Sequence, residues 1–152
     1  MRWSSRRPVG VMVMTLRRAL LERELARLGT TFHQSLALNA AAEGGAVERA
    51  HLLRRMTGAL KVDQAVVLAA VDGLVAGGLL RALPAGGSGL ALTDAGREVQ
   101  RRVADAVAGI TARLYGDVPA ADLAVAGRVL TLVKQRADAA LAAAGNGTPA
   151  AA

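Results

Sequence analysis

The side chains that could carry chemistry in this sequence are few, and His33 and Asn39 are the best placed among them. A histidine near the start of a helix can act as a general base when it is partly buried, although such a histidine is more often a surface or capping residue. Asn39 shares a helical face with Phe32 and Leu36, so its amide could orient a ligand carbonyl or hydroxyl on an apolar wall. The alternative is that this amide bonds a nearby backbone group.

No set of residues has the spacing of a catalytic motif. The sequence has no nucleophile and base at a diagnostic spacing and no paired carboxylates, and its glycine-rich stretch at 86–89 does not follow a strand-to-helix turn. Cysteine is absent and only two histidines are present, which excludes disulfides and thiolate metal sites. We therefore predict no catalytic set, no metal and no cofactor. If the chain were an enzyme, His33 and Asn39 would be the candidate residues.

Composition predicts a mainly α protein. The 152 residues, 53% of them hydrophobic, suffice for one compact domain or for one protomer of an intertwined oligomer. Aromatic residues make up only 2%, which gives little support to a large sheet. No apolar stretch approaches the ~18 residues of a membrane span, and Arg17 and Arg18 interrupt the apolar run at 9–16 without a signal-peptide cleavage site. We expect a cytoplasmic protein without a membrane partner.

Caps, glycines and apolar spacing predict six helices and one hairpin. Thr30 or Thr31, Asp63 and Thr93 are the expected caps of the second, fourth and fifth helices. The helices are predicted at about 8–28, 30–42, 48–58, 63–76, 93–115 and 119–144, and the hairpin strands at 79–83 and 90–92. Residues 145–152 are small and polar, which predicts a disordered tail.

The first predicted helix has apolar residues on more than one face. That pattern is typical of a helix buried on two sides, and such a helix usually belongs to a dimer interface. The alternative is a core helix of a monomer.

Three segments carry a resemblance to a known family. They are LLRRM at 52–56, VDGLVAGGLL at 71–80, and LALTDAGR at 90–97. A helix pair joined by a tight turn, then a two-stranded wing and a Thr-Asp-x-Gly-Arg helix start, resembles the MarR (multiple antibiotic resistance regulator) family. PVG at 8–10 and FHQ at 32–34 look like a short-wing actinobacterial branch of it.

The resemblance implies a winged helix-turn-helix with N- and C-terminal dimerisation helices. The expected parts are an N-terminal arm and dimerisation helix at 1–29, the winged helix-turn-helix at 30–96, long C-terminal dimerisation helices at 97–144 and a tail at 145–152. The implied function is a ligand-responsive, DNA-binding transcriptional regulator that acts as a homodimer. The alternative is a dimer of this fold that binds or converts a small apolar or aromatic metabolite and has lost DNA binding.

The segment that would meet DNA is poor in DNA-binding side chains. The fourth predicted helix, at 63–76, would be the recognition helix. On its exposed side only Gln64 can read a base edge well, while Val66 could at best touch a thymine methyl. Residues 62–96 have a net charge of −2, against +7 for residues 1–61, and phosphate neutralisation supplies much of the affinity for DNA. Duplex DNA is therefore a doubtful partner. The candidate contacts are Arg49, Arg54, Arg55, Lys61, Gln64 and Arg81, with Arg2, Arg6 and Arg7 as a further basic arm.

These arginines have a plainer interpretation as a solvated helix face and a disordered tail. An apolar set on the recognition helix, expected to be exposed, could instead contact a partner or line a cavity. The set comprises Val66, Leu68, Ala69 and Val75. The ligand crevice that the resemblance implies would be lined by Met12, Thr15, Arg18, Phe32, His33, Leu36 and Asn39.

Overall fold

The computed structural model describes the backbone of residues 9–84 and 87–145, and the side chains of residues 13–84 and 87–145. The basic arm before Val9, the wing-tip residues Ala85 and Gly86, and the predicted tail after Gly145 lie outside the described residues. In chain order the elements are α1 (Val9–Arg27), α2 (Phe32–Gly44), β1 (Val47–Glu48), α3 (Arg49–Leu60), α4 (Gln64–Ala76), β2 (Leu80–Ala82), β3 (Gly89–Leu92), α5 (Asp94–Tyr115) and α6 (Ala120–Gly145). The six predicted helices and the predicted hairpin are confirmed.

The chain divides into two compact units, Met1–Leu114 and Tyr115–Ala152. The first contains α1 to α4, the sheet and nearly all of α5, and the second consists mainly of α6. No helix in the described ranges combines the length and apolar character needed to cross a membrane.

Thr31 begins α2 through a complete capping box. The Thr31 hydroxyl accepts a hydrogen bond from the Gln34 backbone N–H at 3.2 Å, and the Gln34 side-chain oxygen accepts one from the Thr31 N–H at 3.1 Å. Two N–H groups that a helix start leaves unpaired are thereby satisfied. Of the two threonines proposed for this position, Thr31 is the cap.

The turn between α3 and α4 is formed by three residues. Lys61 lies in the left-handed region at φ 54° and its N–H donates to the Thr57 carbonyl at 3.0 Å. Asp63 occupies the N-cap position of α4, but its side chain makes no capping hydrogen bond, so the predicted capping role is wrong. The Asp63 backbone carbonyl instead accepts from the Val66 N–H at 3.1 Å.

The predicted hairpin, β2 and β3, is part of a three-stranded antiparallel sheet that also contains β1. Its order is β1-β3-β2, with Val47 opposite Leu90 and Leu80 opposite Leu92. The added strand β1 has only two residues and runs directly into α3 without a linker. The half-buried Val47 packs against the core, and this contact favours the extended conformation before the helix.

Thr93 joins the base of the wing to the start of α5. Its hydroxyl donates to the Gly78 carbonyl at 2.6 Å and accepts from the Gly96 N–H at 3.0 Å. Its own N–H donates to the Leu79 carbonyl at 3.1 Å. The predicted cap of the fifth helix is therefore confirmed, and the same hydroxyl also holds the end of the α4 turn.

The core lies between α2, α3, α4 and the sheet. Burial of a leucine or valine side chain contributes about 1.5–3 kcal/mol, so these residues account for much of the stability of the first unit. Its largest fully buried members are Leu38, Leu52, Val67, Val71, Leu74 and Leu80. Leu68 is half-buried against this core, so the expectation that it is exposed with Val66 was wrong.

Both terminal helices expose apolar side chains. On α1, Val13, Met14 and Leu16 are exposed, whereas Leu25 is buried. The described residues of α6 include no buried side chain, and its exposed apolar residues are Leu123, Val125, Val129, Leu130, Leu132, Val133 and Leu141. A single chain thus leaves apolar residues unburied on α1, whose pattern led to the dimer prediction, and also on α6.

Candidate nucleic-acid interface

Arg54 and Gln64 lie in one shallow groove between α3 and the first turn of α4. Ala50, Leu53 and Thr57 complete its lining, and its volume is about 180 Å³. The Thr57 hydroxyl donates its hydrogen to the Leu53 carbonyl at 2.9 Å, so this hydrogen is already used within α3. Both Arg54 and Gln64 are exposed, so a guanidinium and an amide line the same groove at the N-terminal end of α4.

The ion pairs of the described residues divide the candidate cations into two groups. Arg54, Lys61 and Arg81 form none, whereas Arg49 and Arg55 each bind a carboxylate. Three exposed cations of the predicted six-residue set are therefore available to phosphates without breaking a contact.

Arg49 ties three elements together. Its guanidinium donates to the Asp72 carboxylate on α4, and its backbone N–H donates to the Ser88 carbonyl beside the wing at 2.8 Å. The Arg49 side chain is about one-third exposed and that of Asp72 about two-thirds, so solvent screens the pair. Arg49 was predicted as a DNA contact, and this geometry places its charge on Asp72.

Arg55 pairs with Glu43 at the end of α2, with Nη2 and Oε2 2.6 Å apart. Both side chains are about half exposed, so an incoming anion can compete with Glu43 for the guanidinium. Neither Glu43 nor Asp72 was predicted as a partner. Glu43 is 12 residues from Arg55 and Asp72 is 23 residues from Arg49, and no local spacing signals such contacts.

Arg81 is the cation of the wing. It lies on β2 opposite Ala91 and is exposed, between the buried Leu80 and the exposed Ala82. The described tip residues, Pro84, Gly87 and Ser88, carry no charge. Arg81 is therefore the one charged side chain in the described part of the wing.

Apart from Asp72, the outward face of α4 carries small apolar side chains. Ala65, Ala69 and Asp72 recur at helical spacing opposite the buried Val67, Val71 and Leu74, and Val66 on the flank is 41% exposed. The two polar side chains of α4 are Gln64 and Asp72, and Asp72 accepts a hydrogen bond from Arg49.

Four of the seven residues predicted to line one ligand crevice are divided between two grooves. Arg18 and Phe32 line a groove of about 370 Å³ with Met14, Arg17 and Leu21. The Arg18 guanidinium carbon lies 4.4 Å from the Phe32 ring centroid, and its Nε donates to Glu22 at 2.8 Å. Thr15 is exposed on α1, and the side chain of Met12 lies outside the described residues.

Leu36 and Asn39 line the second groove, which lies between α2 and α3. Its volume is about 310 Å³, and Met56, Arg55 and Glu43 are among its other lining residues. The Asn39 Oδ1 accepts a hydrogen bond from Gln100 Nε2 on α5 at 3.2 Å. Gln100 was not predicted as a partner, because it is 61 residues away in sequence.

His33 lines neither of these two grooves. It is half-buried, and its ring meets that of Phe32 edge-on with centroids 5.7 Å apart. Within residues 9–84 and 87–145 no three His, Cys, Asp or Glu side chains form a group that could hold a metal ion. His33 therefore does not join Asn39 in the groove between α2 and α3.

Glu98 on α5 has a pKa below its ordinary value. The main cause is the hydrogen bond from the Arg102 Nε at 2.9 Å, and Arg101 adds a second contact on the other carboxylate oxygen. Partial desolvation acts in the opposite direction and is the weaker influence. This cluster lies on the exposed side of α5 and contributes no free cation to the groove at Arg54.

Several solved structures with a similar fold are MarR-family regulators. AbsC from Streptomyces coelicolor, a MarR family transcriptional regulator, has a TM-score of 0.71 over 91% of this chain and 99% of its own, at 19% identity. A mutant MarR from E. coli complexed with operator DNA has a TM-score of 0.67, covering 82% and 90% of the two chains at 22% identity. A MarR family regulator from Silicibacter pomeroyi has a TM-score of 0.63, covering 86% of each chain at 24% identity.

The sequence matches no protein-family profile and no curated protein. The chain has the winged helix-turn-helix fold of the MarR-family regulators, as the sequence resemblance predicted. Assignment to the short-wing actinobacterial branch stays a prediction.

Proposed function

We propose that this chain, which has the fold of the MarR-family regulators, is a DNA-binding transcriptional regulator. The observation that carries the proposal is the groove in which Arg54 lies beside Gln64 at the start of α4. In helix-turn-helix proteins the N-terminal residues of the second helix contact base edges. A guanidinium at that position can bind a phosphate while the amide bonds an adenine edge.

The proposed mode of binding uses few phosphate contacts. Arg54, Lys61 and Arg81 are exposed cations without an ion pair in the described ranges. Since each neutralised phosphate adds about 0.9 to the salt slope, three cations per protomer predict a moderate salt dependence. Arg49 and Arg55 would contribute fully only after release from Asp72 and Glu43.

We further propose a homodimer. Exposed apolar residues recur on α1 and on α6, and large apolar patches on a soluble chain usually mark an interface. A twofold dimer would present two copies of α4 to successive major grooves, about 34 Å apart. The first and last helices are the proposed dimerisation segments.

A small apolar or aromatic molecule is the proposed effector. The groove lined by Met14, Leu21 and Phe32 offers an apolar wall with Arg17 and Arg18 at its edge. A ligand bound there would act by favouring one separation of the two α4 helices over another.

The alternative, a dimer that binds or converts a metabolite without DNA, is not favoured. His33 and Asn39, the candidate catalytic pair, do not share a groove, and Gln100 already binds the Asn39 oxygen. The solved structures with this fold named above are regulators, and one of them holds operator DNA.

The test is fluorescence anisotropy with the duplex upstream of the gene and a scrambled duplex, each at low and at physiological salt. We expect specific binding at physiological salt for the wild-type protein. Arg54→Ala should weaken binding to both duplexes and lower the salt slope by about 0.9 per contact. Arg113→Ala, an exposed arginine in the last turn of α5, is the matched control.

Equal, weak affinity for both duplexes that is lost at physiological salt would contradict the proposal for this target. So would an Arg54→Ala protein that binds like the Arg113→Ala control.

A further inference from the structure

We infer that this protein reads DNA chiefly through thymine methyl groups, which the small apolar face of α4 contacts in the major groove. The inference rests on the proposed function and specifies how the same site selects its sequence. It follows from the exposed side chains of α4 and from the pairing of its one carboxylate, Asp72, with Arg49.

The reading face of α4 offers methyl groups where other readers offer polar side chains. Ala65 and Ala69 lie one turn apart on the side opposite the buried Val67 and Val71, and the exposed Val66 flanks them. Alanine side chains let the helix backbone approach a base edge closely. Such a face gains nothing from the amino and carbonyl groups of bases, because each would lose its water without a partner.

Asp72 would oppose this mode of binding if it were free. A carboxylate on the outward face repels phosphates and accepts only from cytosine or adenine amino groups. Its contact with Arg49 reduces both effects, since the guanidinium offsets the negative charge and the Asp72 Oδ1 already accepts a hydrogen bond. Gln64 is the other polar side chain of α4, and it is the one that can both donate to and accept from a base edge.

Among the features of the major groove, the C5 methyl of thymine is the one that complements an apolar side chain. Gln64 complements adenine. Both preferences select A·T pairs, and Arg54 beside Gln64 supplies the phosphate contact that fixes the position of the helix. The site therefore recognises a run of A·T pairs in which the thymine methyls line the major groove.

The experiment replaces thymine by deoxyuridine, which removes the methyl and keeps every hydrogen-bonding group. The probe is the duplex of highest affinity that the full-length protein selects from a pool with a randomised central segment. Loss of one contacted methyl should weaken binding by about fourfold, from about 0.8 kcal/mol per buried carbon. A duplex with deoxyuridine only in its fixed flanks is the control.

Val66→Thr and Val75→Thr form the matched pair of variants. Threonine keeps the shape of valine and replaces one methyl by a hydroxyl. Val75 is 36% exposed on the same helix but lies in its last turn, away from the end that meets base edges. We expect Val66→Thr to reduce the deoxyuridine penalty and Val75→Thr to retain it.

Equal affinity for the thymine and deoxyuridine duplexes would overturn the inference, while specific binding would leave the proposed function intact. A deoxyuridine penalty that is the same in both variants would also overturn the role of Val66. If no duplex is selected from the pool, the proposed function fails and the inference fails with it.

Discussion

Gly96 in the first turn of α5 packs directly against the backbone carbonyl of Leu79 at the base of the wing. A Cβ at position 96 would overlap that carbonyl oxygen, and backbone cannot move aside as a flexible side chain can. Glycine is therefore required at this position by close approach alone, because its φ is not positive.

We expect Gly96→Ala to destabilise the protein by about 2–3 kcal/mol or more, since overpacking against backbone forces α5 away from the wing. Urea denaturation followed by circular dichroism measures the change. A loss below about 0.5 kcal/mol, within the usual range of surface substitutions, would show that α5 shifts without cost.

Gly58→Ala is predicted to have the opposite sign. Gly58 lies within α3, and a Cβ there would meet no atom within 4 Å. Alanine favours an exposed helix over glycine by about 0.5–1 kcal/mol, so the midpoint in urea should rise. Measured beside Gly96→Ala, it separates helix propensity from packing, because a stabilising result at both positions would refute the contact with Leu79.

Thr93→Ala should cost about 1–2 kcal/mol, because the helix cap and the hydrogen bond to Gly78 are lost together. Thr93→Ser retains the hydroxyl and should recover most of that loss. Thermal denaturation of the two variants measures the difference. Equal midpoints for Ala and Ser would mean that the methyl group, and not the hydroxyl, stabilises this junction.

Asp72→Asn is expected to tighten DNA binding by about threefold or more at low salt, since one negative charge leaves the face of α4 and Arg49 becomes available. The gain should shrink as salt rises. Asp105→Asn, an exposed carboxylate in the middle of α5, makes the same charge change away from α4. Weaker binding by Asp72→Asn would instead show that the ion pair is needed to position α4.

The lowered pKa of Glu98 predicts a stability that depends on pH. A carboxyl group whose pKa is lower in the folded state stabilises that state above its unfolded pKa, and the contribution is lost as the pH falls through the folded pKa. Glu98→Gln should therefore lower the thermal midpoint at neutral pH, and the difference from wild type should vanish in acid. In an Arg102→Ala background the same substitution should have a smaller effect, because the main cause of the shift is gone.

The order of elements could be predicted because its signals are local. Thr31 and Thr93 begin helices through hydrogen bonds to residues three positions away, and such spacing is visible in a sequence. Strand β1 was missed, since two residues cannot show alternation and their pairing with Gly89 and Leu90 depends on the tertiary fold.

The electrostatics of the candidate site could not be predicted for a related reason. Arg49 and Arg55 read as free cations in the sequence, but their carboxylate partners lie on other helices. Leu68 was expected to be exposed because it lies outside the main buried stripe of α4. Its side chain is half-buried and packs against the core. Arg54 and Gln64, in contrast, lie on the two helices joined by the short turn at 61–63, so the predicted helix-turn-helix already places them near each other.

The direct junction between β1 and α3 makes the wing and the first turn of α3 mechanically continuous. No residue separates β1 from α3. The Arg49 N–H donates to the Ser88 carbonyl, and the Arg49 guanidinium donates to Asp72 on α4. Under the proposed function, a displacement of the wing by DNA would therefore be passed to α3 and α4 through Arg49. A ligand that shifted the wing would change the position of α4 as well.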